Sequence, residues 1–445
     1  MMDIKKLTPF EPIEFGDGRT TQKLEQLKLD MNDRGVVQSL SNIVTILDGL
    51  SEWSGVFAYN ELTEQYIVTR PLPGSRGNPK LHRPRLLRDE DAGHVRVWLN
   101  RRLKWAKVIK SDVFDAIALA AREHKISPIH HYLQGLQKQS AEDARNYLAS
   151  VVETHFGLYT WNEHPDTLRY SELVFQKWLI SAVARAIEPG CKADHVLILE
   201  GPQGVGKSTA VRTLCGDEYF GDTVPRLDTK DASDYVRGKW IIELAELSSV
   251  SKSAVEQVKA YITRTEEKFR PAYGRNEVIY QRRCIFVGTT NRMDYLRDET
   301  GNRRFWPIKL DTVDIDAIRN DRDKIWTAAK ALYDSGEQWW LTSAEESLAK
   351  NQQLQRASVD PLFDEVAEWL ETSEKSETCM REVLAAVAAD DEDTSAVKMS
   401  PQLQHRLRGA LNAAGFKSTG TKFTSGDHKG RTIFALASPE PKLPL

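Results

Sequence analysis

A glycine-rich segment in the middle of the chain has the residue types and spacing of a phosphate-binding loop. It follows the apolar run HVLILE and leads into the helical pattern TAVRTL. It matches G-x-x-x-x-G-K-[ST] through Gly201, Pro202, Gln203, Gly204, Val205, Gly206, Lys207 and Ser208, and Thr209, which follows, is a further candidate for nucleotide binding. Glycines let backbone N–H groups surround phosphate oxygens, Lys207 meets the β and γ oxygens, and the Ser208 hydroxyl binds Mg²⁺. The segment therefore predicts a site for ATP and Mg²⁺.

Two glutamates lie where the next apolar run, KWIIELAEL, ends. A P-loop enzyme needs one carboxylate for Mg²⁺ and another to polarise the attacking water. Glu243 and Glu246 are the candidates for both tasks and for the metal site. Their spacing of three leaves open which of them does which, and one of the two could be only a solvated carboxylate at a strand end.

Polar residues after a third apolar run extend this chemistry. Asn291 closes CIFVGTTN, where its amide could hold the lytic water or the γ-phosphate, although an Asn at a strand end is often only a turn residue. Arg303 and Arg304 in TGNRRFWPI lie beside a Phe-Trp anchor. Such a pair suits a finger that reaches across a subunit boundary to stabilise transition-state charge. The alternative is a surface pair bound to acidic neighbours.

The segment EKFRPAYGRNEV interleaves basic and aromatic residues across a Pro and a Gly. Such a hairpin can bind single-stranded DNA through phosphate contacts and base stacking. The candidate residues are Lys268, Phe269, Arg270, Tyr273 and Arg275. An exposed polar hairpin with no ligand is the alternative.

The carboxy-terminal segment predicts helices followed by two strands that a Gly-rich basic turn joins, a pattern typical of a winged helix. Its basic residues could contact the DNA backbone, although winged helices also dock proteins. The candidates are Arg406, Arg408, Lys417, Lys422, Lys429 and Arg431.

Composition restricts the class of protein. The 445 residues exceed the size of a single core, and 40% hydrophobic with 28% charged residues indicate a folded globular protein. Its net charge of −3 means that DNA affinity requires local basic patches. The four cysteines are widely spaced, and neither a secretory leader nor an apolar stretch of membrane-spanning length is recognisable. We expect a cytoplasmic protein with reduced thiols and no membrane partner.

The elements that must position these residues predict an α/β fold, with a P-loop core built on a parallel sheet. A small α/β and helical region precedes the core, and a helical segment and a winged-helix-like domain follow it. The expected boundaries are an N-terminal α/β accessory domain over 1–125, a helical region over 126–192, the ATPase core over 193–315, a helical segment over 316–365 and the winged-helix-like domain over 366–445.

The ordered set of motifs resembles the virulence-associated protein E family, whose helicase-like domain belongs to the superfamily 3 helicases of phages, satellites and plasmids. The resemblance runs from SPIHHYLQGL through GPQGVGKST, KWIIELAEL, TTN and TGNRRFWPI to GEQWWL. It implies an AAA+ domain that hydrolyses ATP in an oligomeric, commonly hexameric, ring. Walker A would then be Gly201 to Ser208, Walker B Glu243 and Glu246, the sensor Asn291, and the arginine finger Arg303 or Arg304.

One departure from the family is visible, because related proteins often carry a primase domain ahead of the ATPase. The N-terminal region here is short and lacks a carboxylate set for that chemistry, so a primase would be a separate partner. We expect an ATP-driven helicase or translocase on single-stranded DNA in replication of a phage or mobile element. The alternatives are a loader or remodelling ATPase, and a DNA-binding regulator that ATP switches.

Overall fold

The structure is a computed structural model that describes residues 23–75, 83–158, 165–227, 229–245, 252–269, 277–292, 296, 302–356, 361–373, 375–387 and 401–436. The chain divides into two compact units. Met1–Met293 with Asp298–Gln355 form the first, and Asp294–Arg297 with Arg356–Leu445 form the second. None of the described helices has the length and apolar character that crossing a bilayer requires.

The first unit begins with a small layer of helices packed against a four-stranded mixed sheet. Its elements are β1 (Met31–Asn32), β2 (Gly35–Val36), α1 (Leu40–Gly49), β3 (Phe57–Asn60), β4 (Gln65–Val68), β5 (Arg85–Leu86), α2 (Asp89–Leu103), α3 (Lys110–Glu123) and β6 (Lys125–Ile126). The sheet order is β5-β4-β3-β6, and β6 runs parallel to β3. Buried residues of all three helices share one core with β3 and β4.

Three helices lead from this layer to the central sheet: α4 (Pro128–Gly135), α5 (Ala141–His155) and α6 (Pro165–Ile187). The last one ends just before Pro189-Gly190, as its sequence predicts, because proline cannot continue a helix. Most of α6 is buried, and its Trp178 indole donates a 2.8 Å hydrogen bond to the carbonyl of Phe286. This helix is therefore part of the main core.

The central part of the first unit is a parallel sheet with helices around it. Its elements are β7 (Val196–Glu200), α7 (Lys207–Cys215), β8 (Phe220–Gly221), α8 (Lys230–Tyr235), β9 (Ile241–Ala245), α9 (Lys252–Ile262), β10 (Glu266–Phe269), β11 (Val278–Gln281), β12 (Ile285–Thr290), β13 (Phe305–Lys309), α10 (Ile315–Asp334) and α11 (Ser343–Leu354). Five strands pair in the order β13-β7-β12-β9-β8, all parallel. Every residue of β7 and β12 is buried, as expected for strands covered on both faces. The predicted parallel α/β core is confirmed.

The sheet has two strands more than the three apolar runs predicted. β8 has two residues, too few to give a pattern. β13 contains Pro307, which argues against a strand in sequence, but among the described strands β13 is an edge strand that pairs with β7 alone. An edge strand tolerates a proline because its outward N–H has no partner to lose.

A two-stranded antiparallel hairpin, β10 with β11, leaves the sheet just before β12. Its base is held by a buried ion pair between Glu267 and Arg282, whose side chains are 2% and 0% exposed. The guanidinium of Arg282 also donates to the carbonyl of Tyr261 at 2.5 Å, and Ser233 donates to Glu267 at 2.7 Å. These contacts tie the hairpin base to α8 and α9.

The second unit combines three helices with a three-stranded antiparallel sheet of order β14-β16-β15. Its elements are α12 (Pro361–Ser373), β14 (Glu377–Thr378), α13 (Met380–Val387), α14 (Pro401–Ala413), β15 (Phe416–Lys422) and β16 (Thr432–Leu436). Helices and strands share a small core that includes Val366, Leu407 and Phe434. The expected helices and strand pair are present, while the winged-helix assignment itself stays a prediction.

Candidate nucleotide-binding site

The glycine-rich segment forms the turn between β7 and α7. Glu200 ends the strand, and Lys207 begins the helix. Gly204 and Gly206 have φ angles of 84° and 99°, a backbone conformation that side-chain-bearing residues rarely adopt. A loop of this shape brings the amino end of a helix to one point at the carboxyl edge of the sheet. Backbone N–H groups and the helix dipole there favour an anion.

The ammonium of Lys207 lies over the loop itself. Its Nζ donates to the carbonyls of Gly201 at 2.7 Å and Pro202 at 2.8 Å. Burial lowers the pKa of Lys207, an effect that the nearby carboxylate of Glu243 partly offsets. Lys207 is therefore held at the centre of the loop, where phosphate oxygens would replace the two carbonyls.

A hydroxyl from the helix meets a carboxylate from the sheet beside this lysine. Ser208, in the first turn of α7, donates from Oγ to Oε1 of Glu243 at 2.6 Å. Glu243 is 4% exposed and lies in β9 opposite Val287 of β12. A hydroxyl and a carboxylate oxygen in contact are a donor set that suits a hard divalent cation such as Mg²⁺.

Thr289 is a member of this group that the sequence analysis missed. Its Oγ1 donates to the same Oε1 of Glu243 at 2.5 Å, and the residue is 8% exposed. Thr289 lies two residues beyond Val287, so both side chains are on the face of the sheet that Glu243 shares. Only the pairing of β9 with β12 brings Thr289 to the carboxylate, and no local motif indicates it.

These residues line one cleft of about 440 Å³. Asn291, which directly follows β12, is exposed at its rim, so the predicted sensor residue does lie beside the loop. The walls of the cleft are formed by Gln203, Gly204, Gly206, Lys207, Ser208, Thr209, Glu243, Thr289, Thr290 and Asn291. Glu246, the other predicted carboxylate, lies outside the described residues.

The paired arginines lie at the amino-terminal ends of the sheet strands, whereas the cleft lies at the carboxyl-terminal ends. They directly precede β13, whose first residue, Phe305, pairs with Val196 at the start of β7, whereas the glycine-rich loop follows the end of β7. Arg303 is exposed and Arg304 is half-buried, and neither lines the cleft. A five-residue strand, about 15 Å long, separates them from the loop of the same chain.

The predicted DNA-contacting hairpin is described only at its base. Lys268 is exposed on β10 and lies 3.4 Å from the carboxylate of Glu266. Phe269 pairs with Val278 through its backbone, and its side chain is outside the described part of the structure. The predicted residues Arg270, Tyr273 and Arg275 also lie outside the described residues.

The six basic residues of the second unit that were predicted to contact DNA are exposed. Arg406 and Arg408 lie on α14, Lys417 and Lys422 on β15, and Lys429 and Arg431 in the turn before β16. The helix and the strand-turn-strand segment therefore both present basic side chains to solvent. Their contact with DNA remains a prediction.

Comparison with known proteins gives one family and a set of solved structures. Two of the structures are apo forms of the C-terminal region of NrS-1, with TM-scores of 0.46 and 0.44 and identities of 14% and 13%. Each covers 86% of this chain and 96% of the other. No curated protein matches. The sequence profile of the virulence-associated protein E-like domain matches residues 136–358, from the residue after α4 to just beyond α11. The chain belongs to the virulence-associated protein E-like domain family.

Proposed function

We propose that this chain is a Mg²⁺-dependent ATPase that drives translocation along single-stranded DNA, as a ring-shaped helicase in the replication of a phage or other mobile element. The observation that carries the proposal is the contact between Ser208 and Glu243 directly beside Lys207. A helix-start hydroxyl, a strand carboxylate and a loop lysine are the groups that P-loop enzymes use on MgATP. The remainder of the proposal rests on the arginines, the hairpin and the family.

The residues of the cleft divide the work of phosphoryl transfer. Lys207 exchanges the carbonyls of Gly201 and Pro202 for β- and γ-phosphate oxygens, while the loop N–H groups hold the phosphate chain. Ser208 and Glu243 would hold Mg²⁺, which neutralises the charge that develops on the phosphates. Asn291 at the rim orients the attacking water or the γ-phosphate, and Glu246 remains the candidate that polarises this water.

The position of the arginines supports an oligomer. Arg303 and Arg304 lie at the edge of the sheet away from their own cleft, so a role in phosphoryl transfer requires the cleft of a neighbouring subunit. A contact in which the arginines of one subunit meet the cleft of the next subunit joins two different surfaces, and is therefore head-to-tail. Such contacts close into rings, and we propose a hexamer.

DNA engagement is assigned to the hairpin of β10 and β11 and to the basic second unit. The ion pair of Glu267 and Arg282 fixes the hairpin base, and Arg282 is three residues before β12, the strand that leads to Asn291. Through this anchor, a movement at the nucleotide site can be transmitted to the hairpin and so to bound DNA. The basic turn of the second unit would make phosphate contacts of its own, as the turn between the strands of a winged helix can.

The decisive experiment measures ATP hydrolysis with and without single-stranded DNA, beside light scattering for the mass of the assembly. We expect DNA-stimulated turnover in a ring-sized species, no turnover for Lys207→Ala, and strand separation on a forked duplex. DNA-independent turnover in a ring would instead favour a loader of other replication proteins. Site-specific duplex binding by a monomer would favour an ATP-switched regulator.

A subunit-mixing test addresses the arginines. The variants Lys207→Ala and Arg303→Ala, or Arg304→Ala, should each be inactive alone. Mixed rings regain part of the turnover if the arginine acts on the neighbour, because some clefts then combine an intact loop with an intact arginine. Mixtures that stay inactive although they assemble would contradict the trans role.

A further inference from the structure

The second unit contains three potential metal ligands that the proposed nucleotide chemistry does not use. Cys379, Glu382 and His428 each present one ligand atom, and these atoms all lie within 4.8 Å of one another. Cys379 is 1% exposed, whereas the other two are half-buried. We propose that these three side chains bind one Zn²⁺ ion, with water as the fourth ligand.

Two separate elements bring the ligands together. Cys379 directly precedes α13, and Glu382 lies in the first turn of that helix, with its N–H bonded to the carbonyl of Cys379 at 3.0 Å. His428 belongs to the turn that joins β15 to β16. That turn is closed by two backbone hydrogen bonds, from the N–H of Phe423 to the carbonyl of Arg431 and from the N–H of Gly430 to the carbonyl of Phe423. The ligands therefore lie on ordered structure at both ends.

The distances suit a shared ion better than a direct hydrogen bond. Nε2 of His428 is 3.6 Å from Oε1 of Glu382, too long for a hydrogen bond between the two groups. Tetrahedral Zn²⁺ with ordinary Zn–N and Zn–O bond lengths holds two such ligands about 3.4 Å apart. Thr378 donates to the other carboxylate oxygen, Oε2, at 2.9 Å. This contact orients the carboxylate and leaves Oε1 to a cation.

The types of ligand select the metal. A thiolate, an imidazole nitrogen and one carboxylate oxygen match borderline-soft Zn²⁺, whereas Mg²⁺ and Ca²⁺ prefer oxygen alone. Cys379 gives up its thiol proton to solvent on binding, and His428 binds as the neutral imidazole. The sulfur also lies at the amino end of α13, where the helix dipole favours negative charge.

A lysine forms an ion pair with the carboxylate of Glu382 in this structure. The ammonium of Lys375 bonds to Oε1 of Glu382, and its side chain is 43% exposed. A half-exposed ion pair contributes little and can rotate into solvent, so a divalent ion that also gains sulfur and nitrogen ligands can replace it. Lys375 therefore competes with Zn²⁺ for this oxygen, which provides an unusual test.

Zinc at this position would attach the basic turn to α13. The turn carries Lys429 and Arg431, both exposed and both candidates for DNA contact. Zinc binding would fix the turn and so hold these two side chains in one orientation for contact with DNA. The site does not depend on the proposed ATPase activity.

The test uses full-length reduced protein, with Co²⁺ as a spectroscopic probe and Zn²⁺ titrated against a chromophoric chelator. We expect one Zn²⁺ per chain and a thiolate-to-cobalt charge-transfer band in the wild type. Cys379→Ser and His428→Gln should lose the band and weaken Zn²⁺ binding by more than about 100-fold. Matched controls, Cys191→Ser and His130→Gln, should bind like the wild type.

Lys375→Met gives a result in the opposite direction and removes no ligand. It should tighten Zn²⁺ binding, because the competing ammonium is gone. Wild-type protein that binds no stoichiometric Zn²⁺, a band that survives Cys379→Ser, or an unchanged affinity in Lys375→Met would each overturn the proposal. Binding that Cys191→Ser abolishes would place an adventitious ion elsewhere and overturn it as well.

Discussion

The indole Nε1 of Trp306 donates a hydrogen bond to the backbone carbonyl of Arg303 at 3.2 Å. The same indole stacks on the buried imidazole of His195, with ring centroids 3.8 Å apart and planes inclined by 8°. His195 directly precedes β7, so this contact fixes the start of β13 to the start of the strand that leads to the glycine-rich loop. The Phe-Trp anchor of the sequence thus holds the turn that carries the two arginines.

Trp306→Phe removes this hydrogen bond and keeps an aromatic ring against His195. We expect kcat for ATP to fall by about 10- to 100-fold, because small displacements of a transition-state group are costly. KM should change little, and activity should recover in part when the variant is mixed with Lys207→Ala. Steady-state kinetics on the separate and mixed proteins measure all three.

Trp339→Phe is a matched control for the tryptophan. Its indole also donates to a backbone carbonyl, that of Lys192 at 2.7 Å, which is outside the turn that carries the arginines. Trp339→Phe should lower thermal stability about as much as Trp306→Phe does, but should leave kcat unchanged. Equal kinetic effects of the two substitutions would show that Trp306 has only a structural role.

Thr289→Val removes the second hydroxyl bonded to Glu243 and conserves the shape of the side chain. The carboxylate then loses one of the two contacts that orient it. We expect the Mg²⁺ concentration for half-maximal turnover to rise by about 10- to 100-fold, the usual effect of a lost supporting hydrogen bond at a metal site. Thr289→Ser should restore the wild-type requirement, and a Val variant with normal Mg²⁺ dependence would remove Thr289 from the site.

The sequence predicts what is contiguous and misses what the pairing of strands brings together. Gly201 to Ser208 could be identified in full because strand, loop and helix follow one another in the chain. Thr289 could not, since only the register of β9 and β12 places it on Glu243. Cys379 and His428 lie far apart in the chain and form no sequence motif, and it is the antiparallel sheet of the second unit that brings them together. Because Pro307 argues against a strand, β13 could not be predicted from the sequence. The separation of the arginines from the cleft of their own chain, which depends on β13, could not be predicted either.

Arg282→Met should strongly destabilise the first unit. It leaves the carboxylate of Glu267 buried without its main partner, and breaking a buried ion pair costs about 3 to 5 kcal/mol. The double variant with Glu267→Leu should recover much of this loss, because two apolar side chains then replace the two charges. Denaturant unfolding of the three proteins provides the comparison.

A surface pair provides the reference for that measurement. Lys330 and Asp334 pair on α10, where both side chains contact solvent, so Lys330→Ala should cost less than about 1 kcal/mol. If Arg282→Met were no more costly than this reference, the buried pair would not be what holds the hairpin base.

His195 should make the first unit sensitive to acid. Burial lowers the pKa of this imidazole from its usual 6.5 to about 3, and the nearby charges of Arg185 and Lys177 add to the effect. Below pH 6.5 the unfolded chain takes up a proton at this residue, whereas the folded chain stays neutral until about pH 3. Stability from this group is therefore lost as the pH falls through that window, by about 1.4 kcal/mol per pH unit.

His195→Phe separates this contribution from that of the carboxylates. Phenylalanine keeps a ring stacked on Trp306 but cannot take up a proton, so the variant should lose less stability than the wild type between pH 6 and pH 4. The measurement is the free energy of unfolding at several pH values for both proteins, with the difference taken at each pH. A difference that stays constant across the range would mean that His195 titrates alike in the folded and unfolded chains, and that its burial against Trp306 does not hold it neutral.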